Sequence, residues 1–530
     1  MSRWVRVFAT LAIFALILGA CAGAGPTGGG ATQAPAAGAK PTYGGSLVFA
    51  LEDDPIDLDP LRSRAFIDRN VHYQIYDSLV RIDASGKVIP WLAESWETSG
   101  DGKQVTFKLR KDVKYHDGTP FDAESVRWNI DRYRTTQGSQ RAADLAPVAS
   151  VDVVDASTAR FNLKSPFSPL LATLVDRAGM MLSRKAVEAG GQDFTRKPLG
   201  AGSGPFKFIE AVKDDRITLE RNAEWWAKDK DGNKLPYLDK LTIRPIREDS
   251  VRVTNLRTGD AQIANNIPGK DVEVVKADTS LVYQSGPNYG FDSIYTNRKK
   301  GFVFEEARYV RAVAMAIDRK EIADKVFYGT RIPGYGTVAP SHFASDAAFK
   351  PFEKPDPAGA KKLVGEVGKG PLQFEILVTA GSSVNLQLAQ LLQAQLAKAD
   401  IKMDITTLEF AQILKLQDAC DYKGATLVGW SGRGDPDGNT YSHIYTKAPN
   451  NSSCYSNAQV DKLLDETRTA SDEAKRKAAF RAAEQIYAVE DPARVWYAFR
   501  VSQLLTAKKL QGLEPYPDGL IRFQFGWLQK

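Results

Sequence analysis

Val88–Tyr133 reads VIPWLAESWETSGDGKQVTFKLRKDVKYHDGTPFDAESVRWNIDRY, and its patterning sets the kind of fold to expect. Val105, Phe107 and Leu109 alternate with Thr106, Lys108 and Arg110, the period of a strand with one buried face. Asp101-Gly102-Lys103 before it and His116-Asp117-Gly118 after it are turn sequences, in which glycine supplies a positive φ. Pro120 and Asp122 lead into Val126, Ile130 and Tyr133. That spacing marks one face of a helix, so Asp122 is expected to cap its N-terminus. Strand, turn and capped helix come in close succession, and HDGTP reads as a structural turn rather than a site.

Other segments extend the α/β pattern. Ser46–Leu51, SLVFAL, reads as a buried strand. Arg308–Gly329 carries apolar residues at helical spacing, with Asp318 and Glu321 placed as a capping box. Leu372–Phe410 reads as strand, helix and strand, a unit that closes as a right-handed parallel crossover. Val460–Glu490 reads as a pair of amphipathic helices broken at 469–472. With 530 residues the chain is too long for one ordinary core, so two or three lobes are expected.

The Val88–Tyr133 stretch closely resembles the signature region of extracytoplasmic solute-binding proteins of peptide, nickel and glycoside ABC transporters, solute-binding family 5. Further blocks are similar to the family's: the turn Asp53–Pro60, Pro198–Phe208 (PLGAGSGPFKF), and Leu256–Pro268. The resemblance runs from about Gly44 to the C-terminus. It implies an α/β periplasmic-binding-protein-like fold, with two major lobes around a cleft and a smaller inserted subdomain. Lobe I would be discontinuous, from 44–66, 184–285 and 491–530. The insert would span 67–183 and lobe II 286–490. It also implies function without chemistry: solute caught between the lobes and delivered to an ABC permease.

The N-terminus supplies an address. Arg3 and Arg6 precede the apolar run Val7–Leu18, which ends in Leu18-Gly19-Ala20-Cys21. This run is short of the roughly 20 residues that span a bilayer, and it looks like a bacterial lipoprotein signal over 1–20 with Cys21 lipidated. Residues 21–43 are mostly Ala, Gly, Pro and Thr, a tether with too little apolar surface to fold. Localisation is therefore expected to be extracytoplasmic, membrane-anchored through lipid, the protein itself a monomer. Removal of Arg3 and Arg6 with the leader lowers the formal charge of +6 to +4. Charges of both signs are interspersed, which argues against a nucleic-acid surface.

Cys420 and Cys454 remain. In an exported protein such a pair is read as a disulfide, with two free thiols as the alternative. Cofactors are not expected. The chain has four His, without metal-ligand spacing, and the Asp229 and Asp435 segments depart from an EF-hand at the sixth and twelfth positions.

The most pointed candidate for the solute site is Leu427–Tyr441, LVGWSGRGDPDGNTY. It resembles a family loop in which an acid three residues after the Trp pairs with a peptide's α-ammonium. Here that position is Arg433. Asp435 takes over through a local shift, or the pocket offers a cation to a carboxylate or phosphate. The plainer alternative pairs Arg433 with Asp435 or Asp437. Trp430 reads as a pocket wall or as core. Asn288 and Tyr289 read as solute contacts or as parts of the crossing into the second lobe. Ser203 reads as a turn residue or a contact. Two further functions stay open, an exported hydrolase and a sensory or adhesion lipoprotein of the same fold. Against the former, Gly429-Trp-Ser431-Gly-Arg433 ends one residue short of a nucleophile elbow.

Overall fold

Ser46–Leu51 forms the first strand, buried along its second half. In the computed structural model, which describes residues 40–530, it pairs in parallel with Lys240–Pro245 on one side and Ile263–Ala264 on the other. A strand flanked in this way is covered on both faces, which is why SLVFAL is a continuous apolar run. The leader, Cys21 and the tether up to residue 39 lie outside the described residues.

The sheet around this strand has seven strands. Its edges are Leu281–Gly286, paired to Ser502–Ala507, and Phe206–Val212, paired to Arg216–Arg221. The second large sheet has six strands. Arg331–Pro333, Val495–Arg500, Phe291–Thr296 and Ala425–Trp430 are antiparallel neighbours, while Gln373–Thr379 runs parallel to both Ala425–Trp430 and Lys402–Leu408. The expected parallel crossover is therefore present, with Ser383–Ala397 as its helix. A third, antiparallel sheet of four strands holds Ala93–Thr98, Gln104–Leu109, Thr158–Leu163 and Val148–Asp155.

Local expectations translate directly. Val105, Phe107 and Leu109 are buried on one face of their strand. Asp122 caps the helix Ala123–Thr135 by accepting from the Ser125 amide at 2.8 Å. Asp318 caps Arg319–Lys325 through the Glu321 amide at 2.9 Å. One continuous apolar core joins the seven-stranded sheet, through Phe49 and Leu241, to the four-stranded sheet, through Phe107 and Phe161. The six-stranded sheet is packed on both faces, by Val310, Leu388 and Leu396 on one and by Ile444, Phe480 and Tyr487 on the other.

The chain passes between the two large sheets twice, at 287–290 and at 501. The second crossing falls ten residues later than the expected lobe boundary at 490/491, because Val495–Arg500 completes the six-stranded sheet before the chain leaves it. The two crossings are tied together. Asn288 Nδ2 donates to Ser502 Oγ at 2.8 Å, Ser502 Oγ donates to the Tyr516 carbonyl at 2.6 Å, and the Arg500 amide donates to the Gly290 carbonyl at 3.0 Å. Gly290 is required here: a Cβ would lie 2.5 Å from the Trp430 carbonyl oxygen.

Cys420 and Cys454 are joined, with Cα atoms 6.3 Å apart and a sequence separation of 34. The bridge fastens the helix before the central strand Ala425–Trp430 to the segment beyond the helix after it. Loop-closure entropy for this span is about 3–4 kcal/mol. Replacing both cysteines with serine is expected to lower stability by about that amount, read as a fall in the urea midpoint together with a steeper slope, because the unlinked unfolded chain exposes more surface.

Candidate functional site

Ala425–Trp430 ends at the edge of a cleft, and the chain then turns through Ser431-Gly432-Arg433-Gly434 into the helix Pro436–Ile444. Asp435 caps that helix, accepting from the Asp437 amide at 2.9 Å, and Pro436 occupies its first turn. Gly432 adopts φ +81°, and a Cβ on it would lie 2.3 Å from the Tyr289 backbone, so the loop is pressed against the lobe crossing.

One side chain organises the turn. Asn439 Oδ1 accepts from Trp430 Nε1 at 3.0 Å and from the Arg433 amide at 2.9 Å. Its Nδ2 donates to the Tyr289 carbonyl at 2.7 Å and the Thr337 carbonyl at 3.0 Å. All four hydrogen-bonding positions of the amide are thus used. His342 holds the loop from the other side. Its Nδ1 accepts from the Ala339 amide at 3.0 Å, so Nε2 carries the proton and donates to the Arg433 carbonyl at 2.7 Å. Burial lowers His342 to about 4, which keeps that tautomer neutral, and Tyr289 stacks on its ring at 5.0 Å.

Arg433 lies over the Trp430 ring at 4.4 Å, a cation–π contact. Its Nη1 donates to the Gly432 carbonyl at 2.7 Å, and its Nε meets Asp176 Oδ2 at 3.1 Å across the cleft. Neither expected partner within the loop pairs with it. Arg476 Nη2 donates to both oxygens of Asp435, at 2.8 and 2.9 Å, and Arg468 grips Asp437 bidentately through Nε and Nη2, at 2.7 and 2.9 Å. Both acids are taken by arginines of the helices packed behind the loop, and this leaves Arg433 to reach forward. Burial and the neighbouring Arg69 push Arg433 down to about 10, so it stays charged at neutral pH.

The facing wall comes from residues 64–178, most of them in the stretch assigned to the insert. Asp176 also pairs with Arg69 Nε at 3.1 Å, and Arg177 Nε stands 3.8 Å away. Burial raises the Asp176 carboxyl, but Arg69 and Arg433 outweigh it and hold the group well below the usual carboxylate range. Arg69 Nη1 donates to Ser431 Oγ at 3.1 Å, Ser168 Oγ donates to the Ala470 carbonyl at 2.6 Å, and Arg64 pairs with Asp418. The two walls are therefore in contact, around about 840 Å³ of space that opens to solvent. A second space of about 580 Å³ shares Asp176, Arg433 and Asp435 as lining.

Trp430, Arg433 and Asp435 thus come together at the cleft. Tyr289 and Asn288 do not line it; they are buried at the crossing. Ser203 lies elsewhere, its Oγ 3.4 Å from Asp77 Oδ2 in a buried cluster where Trp91, Trp225 and Trp226 each donate an indole N–H to the same carboxylate. Among the described residues no group of three His, Cys, Asp or Glu side chains is placed to hold a metal.

A family model for bacterial extracellular solute-binding proteins, family 5 (middle), matches residues 87–452. The chain belongs to this family. The family 5 match spans the four-stranded sheet, the crossing at 287–290 and the Trp430 loop alike. Among relatives, the glutathione-binding protein GsiB of Shigella boydii is 29% identical over 501 residues, covering 91% of this chain and 94% of the relative. The GsiB of Pectobacterium atrosepticum is 28% identical over 514 residues, covering 92% and 96%. Among solved structures, the periplasmic binding protein DppA of Helicobacter pylori in complex with the peptide STSA aligns with TM-score 0.82 at 26% identity, over 92% of this chain and 99% of that one. The murein tripeptide-binding protein MppA of Escherichia coli aligns with TM-score 0.83 at 22% identity, over 92% and 98%.

Two variants test how the loop is held. Asn439→Ala leaves two donors and two carbonyls without their partner and is expected to cost about 3 kcal/mol or more, measured by denaturant unfolding. Glu484 holds the neighbouring segment whose Thr337 carbonyl accepts from Asn439, accepting in turn from the Thr337 and Val338 amides at 3.1 and 3.3 Å. Burial raises its carboxyl from 4.5 to about 7. The folded protein therefore holds this proton more tightly than the unfolded chain, and stability falls as pH rises from 4.5 through 7. Relative to Glu484→Gln, the native protein is expected to lose roughly 3 kcal/mol between pH 4.5 and pH 8.

Proposed function

We propose that the chain is the substrate-binding component of an ABC importer, closing on a small peptide-like, anionic solute at the cleft between its lobes and delivering it to the permease. The observation that carries this reading is the cleft itself. One wall is the Trp430–Asp435 loop and the other is the Asp176 segment, and the ion pair between them joins two bodies whose only covalent links are two short crossings. A solute that contacts both walls binds the closed form better and shifts the population toward it. The GsiB relatives, named for glutathione, and the peptide complex of the Helicobacter structure support a peptide-like solute.

Within the cleft, Trp430 provides an aromatic wall and Arg433 a cation whose Nη2 has no partner among the described residues. Arg433 takes an acid group of the solute, while Asp435 contributes through its pair with Arg476. Asn288 and Tyr289 act at the crossing, and Ser203 acts in the Asp77 cluster. The protein performs no catalysis. It is exported, anchored through lipid on Cys21, and works as a monomer.

Native mass spectrometry of the purified protein, before and after mild denaturation, tests the reading. A small acidic mass released on unfolding is the expected result. Isothermal titration with that solute should then show Arg433→Ala weakening affinity about tenfold or more, and unchanged affinity would remove Arg433 from the site.

A further inference from the structure

The cleft holds more guanidinium charge than its carboxylates neutralise. Asp435 and Asp437 are taken by Arg476 and Arg468, and Asp176 is shared by Arg69 and Arg433 at 3.1 Å and, more distantly, by Arg177 at 3.8 Å. On the wall opposite Trp430, three further arginines line the space; Arg64 is paired with Asp418, which leaves Arg141 and Arg177. Arg177 is 1% exposed, and its Nη1 donates only to Ser63, to the carbonyl at 2.9 Å and to Oγ at 3.0 Å. Arg141 gives Nη1 to Asp144 at 2.8 Å and Nη2 to the same Ser63 carbonyl at 3.3 Å. The Nε atoms of Arg141 and Arg177 are both buried and have no hydrogen-bond partner.

Two guanidinium groups that converge on one neutral carbonyl repel each other, and two buried donors without acceptors are destabilising. Burial and Arg141 together push the Arg177 guanidinium well below its ordinary range. A group with two or more anionic oxygens relieves both defects, since it matches the guanidinium fork and supplies negative charge where it is short.

We infer that Arg141 and Arg177 form an acid-binding subsite in the cleft, separate from Arg433, that takes a carboxylate or phosphate group of the solute. The inference rests on the cleft being the solute site and deepens that reading: the solute carries two acid groups, one toward Arg433 and one toward Arg141 and Arg177.

The test is isothermal titration of wild type and Arg141→Gln with glutathione and with its diethyl ester, alongside thermal melting in millimolar inorganic phosphate at fixed ionic strength. Arg141 is at the edge of the cluster, so its variant is the one expected to fold; Arg177→Lys, which keeps the charge and loses the fork, is the second. The expected result is that Arg141→Gln weakens glutathione about tenfold and leaves the diester unchanged, with Arg177→Lys intermediate. Competition by phosphate would assign the subsite to either acid, and binding of phosphate alone, lost in Arg141→Gln, to a phosphate-bearing solute. Glutathione binding that is indifferent to Arg141→Gln overturns the inference. If neither form of glutathione binds, the peptide-like reading fails. The phosphate arm then decides the subsite alone, and the absence of any phosphate stabilisation of the wild type overturns it.

Discussion

Asp176 is the carboxylate on which both walls of the cleft converge. Arg69 reaches it from its own wall and Arg433 from the other, each at 3.1 Å. At an effective dielectric near 20, each pair contributes an attraction of about 5 kcal/mol, but taking these charges out of water costs several kcal/mol per ion. The two terms are of similar size, so the ion pair places the closed cleft near balance. What decides closure is then any further charge that enters the space, and the surplus there is positive. An anion that enters the space tips the balance toward contact.

The loop that carries Arg433 is rigid for reasons apart from charge. Asn439 spends its whole hydrogen-bonding capacity on the Trp430 indole, the Arg433 amide and two carbonyls, one of them at the lobe crossing. Tyr289 extends that link, because its carbonyl takes Asn439 while its ring stacks on His342. The crossing and the site are consequently one hydrogen-bonded unit. A rotation at 287–290 is transmitted to the Trp430 loop through short, buried bonds, which is how opening of the lobes would reach the solute.

Sequence patterns carried the strands, caps and crossover because those depend on near neighbours. Val105, Phe107 and Leu109 reveal their strand by alternation, and Asp122 reveals its cap through the helical spacing of Val126, Ile130 and Tyr133. The HDGTP turn could be read as a turn, but not that it docks on the PLGAGSGPF block, where the His116 and Asp117 amides donate to the Gly202 and Gly200 carbonyls at 2.6 and 3.1 Å. The site was half legible. The Trp430 loop stood out, whereas Asp176 and Arg177 sit in LVDRAGM with no periodicity or motif to separate them from surface charge. Their importance comes only from folding: Arg69, for instance, meets Ser431 from 362 residues away. Asn439 was visible only as part of an Asp/Asn-rich turn. Arg433 could not be assigned a partner, because Asp435 and Asp437 were nearer in sequence, and the helix carrying Arg468 and the helix carrying Arg476 had already claimed them.

Charge reversal at position 433 constrains how a solute can orient in the cleft. The resemblance of this loop implies that, in peptide-binding members of the family, the acid at this place meets the solute's ammonium. An ammonium about 4 Å from Arg433 would instead meet a like charge, a repulsion of about 4 kcal/mol at an effective dielectric near 20, or roughly a thousandfold in affinity. Asp176 cannot offset this cheaply, since it already faces the guanidinium groups of Arg69, Arg433 and Arg177, and Asp435 is committed to Arg476. On the proposed reading, a peptide-like solute therefore presents an acid rather than its amine to Arg433. Its ammonium, if it has one, must find another acceptor or remain at the solvent-facing mouth of the cleft.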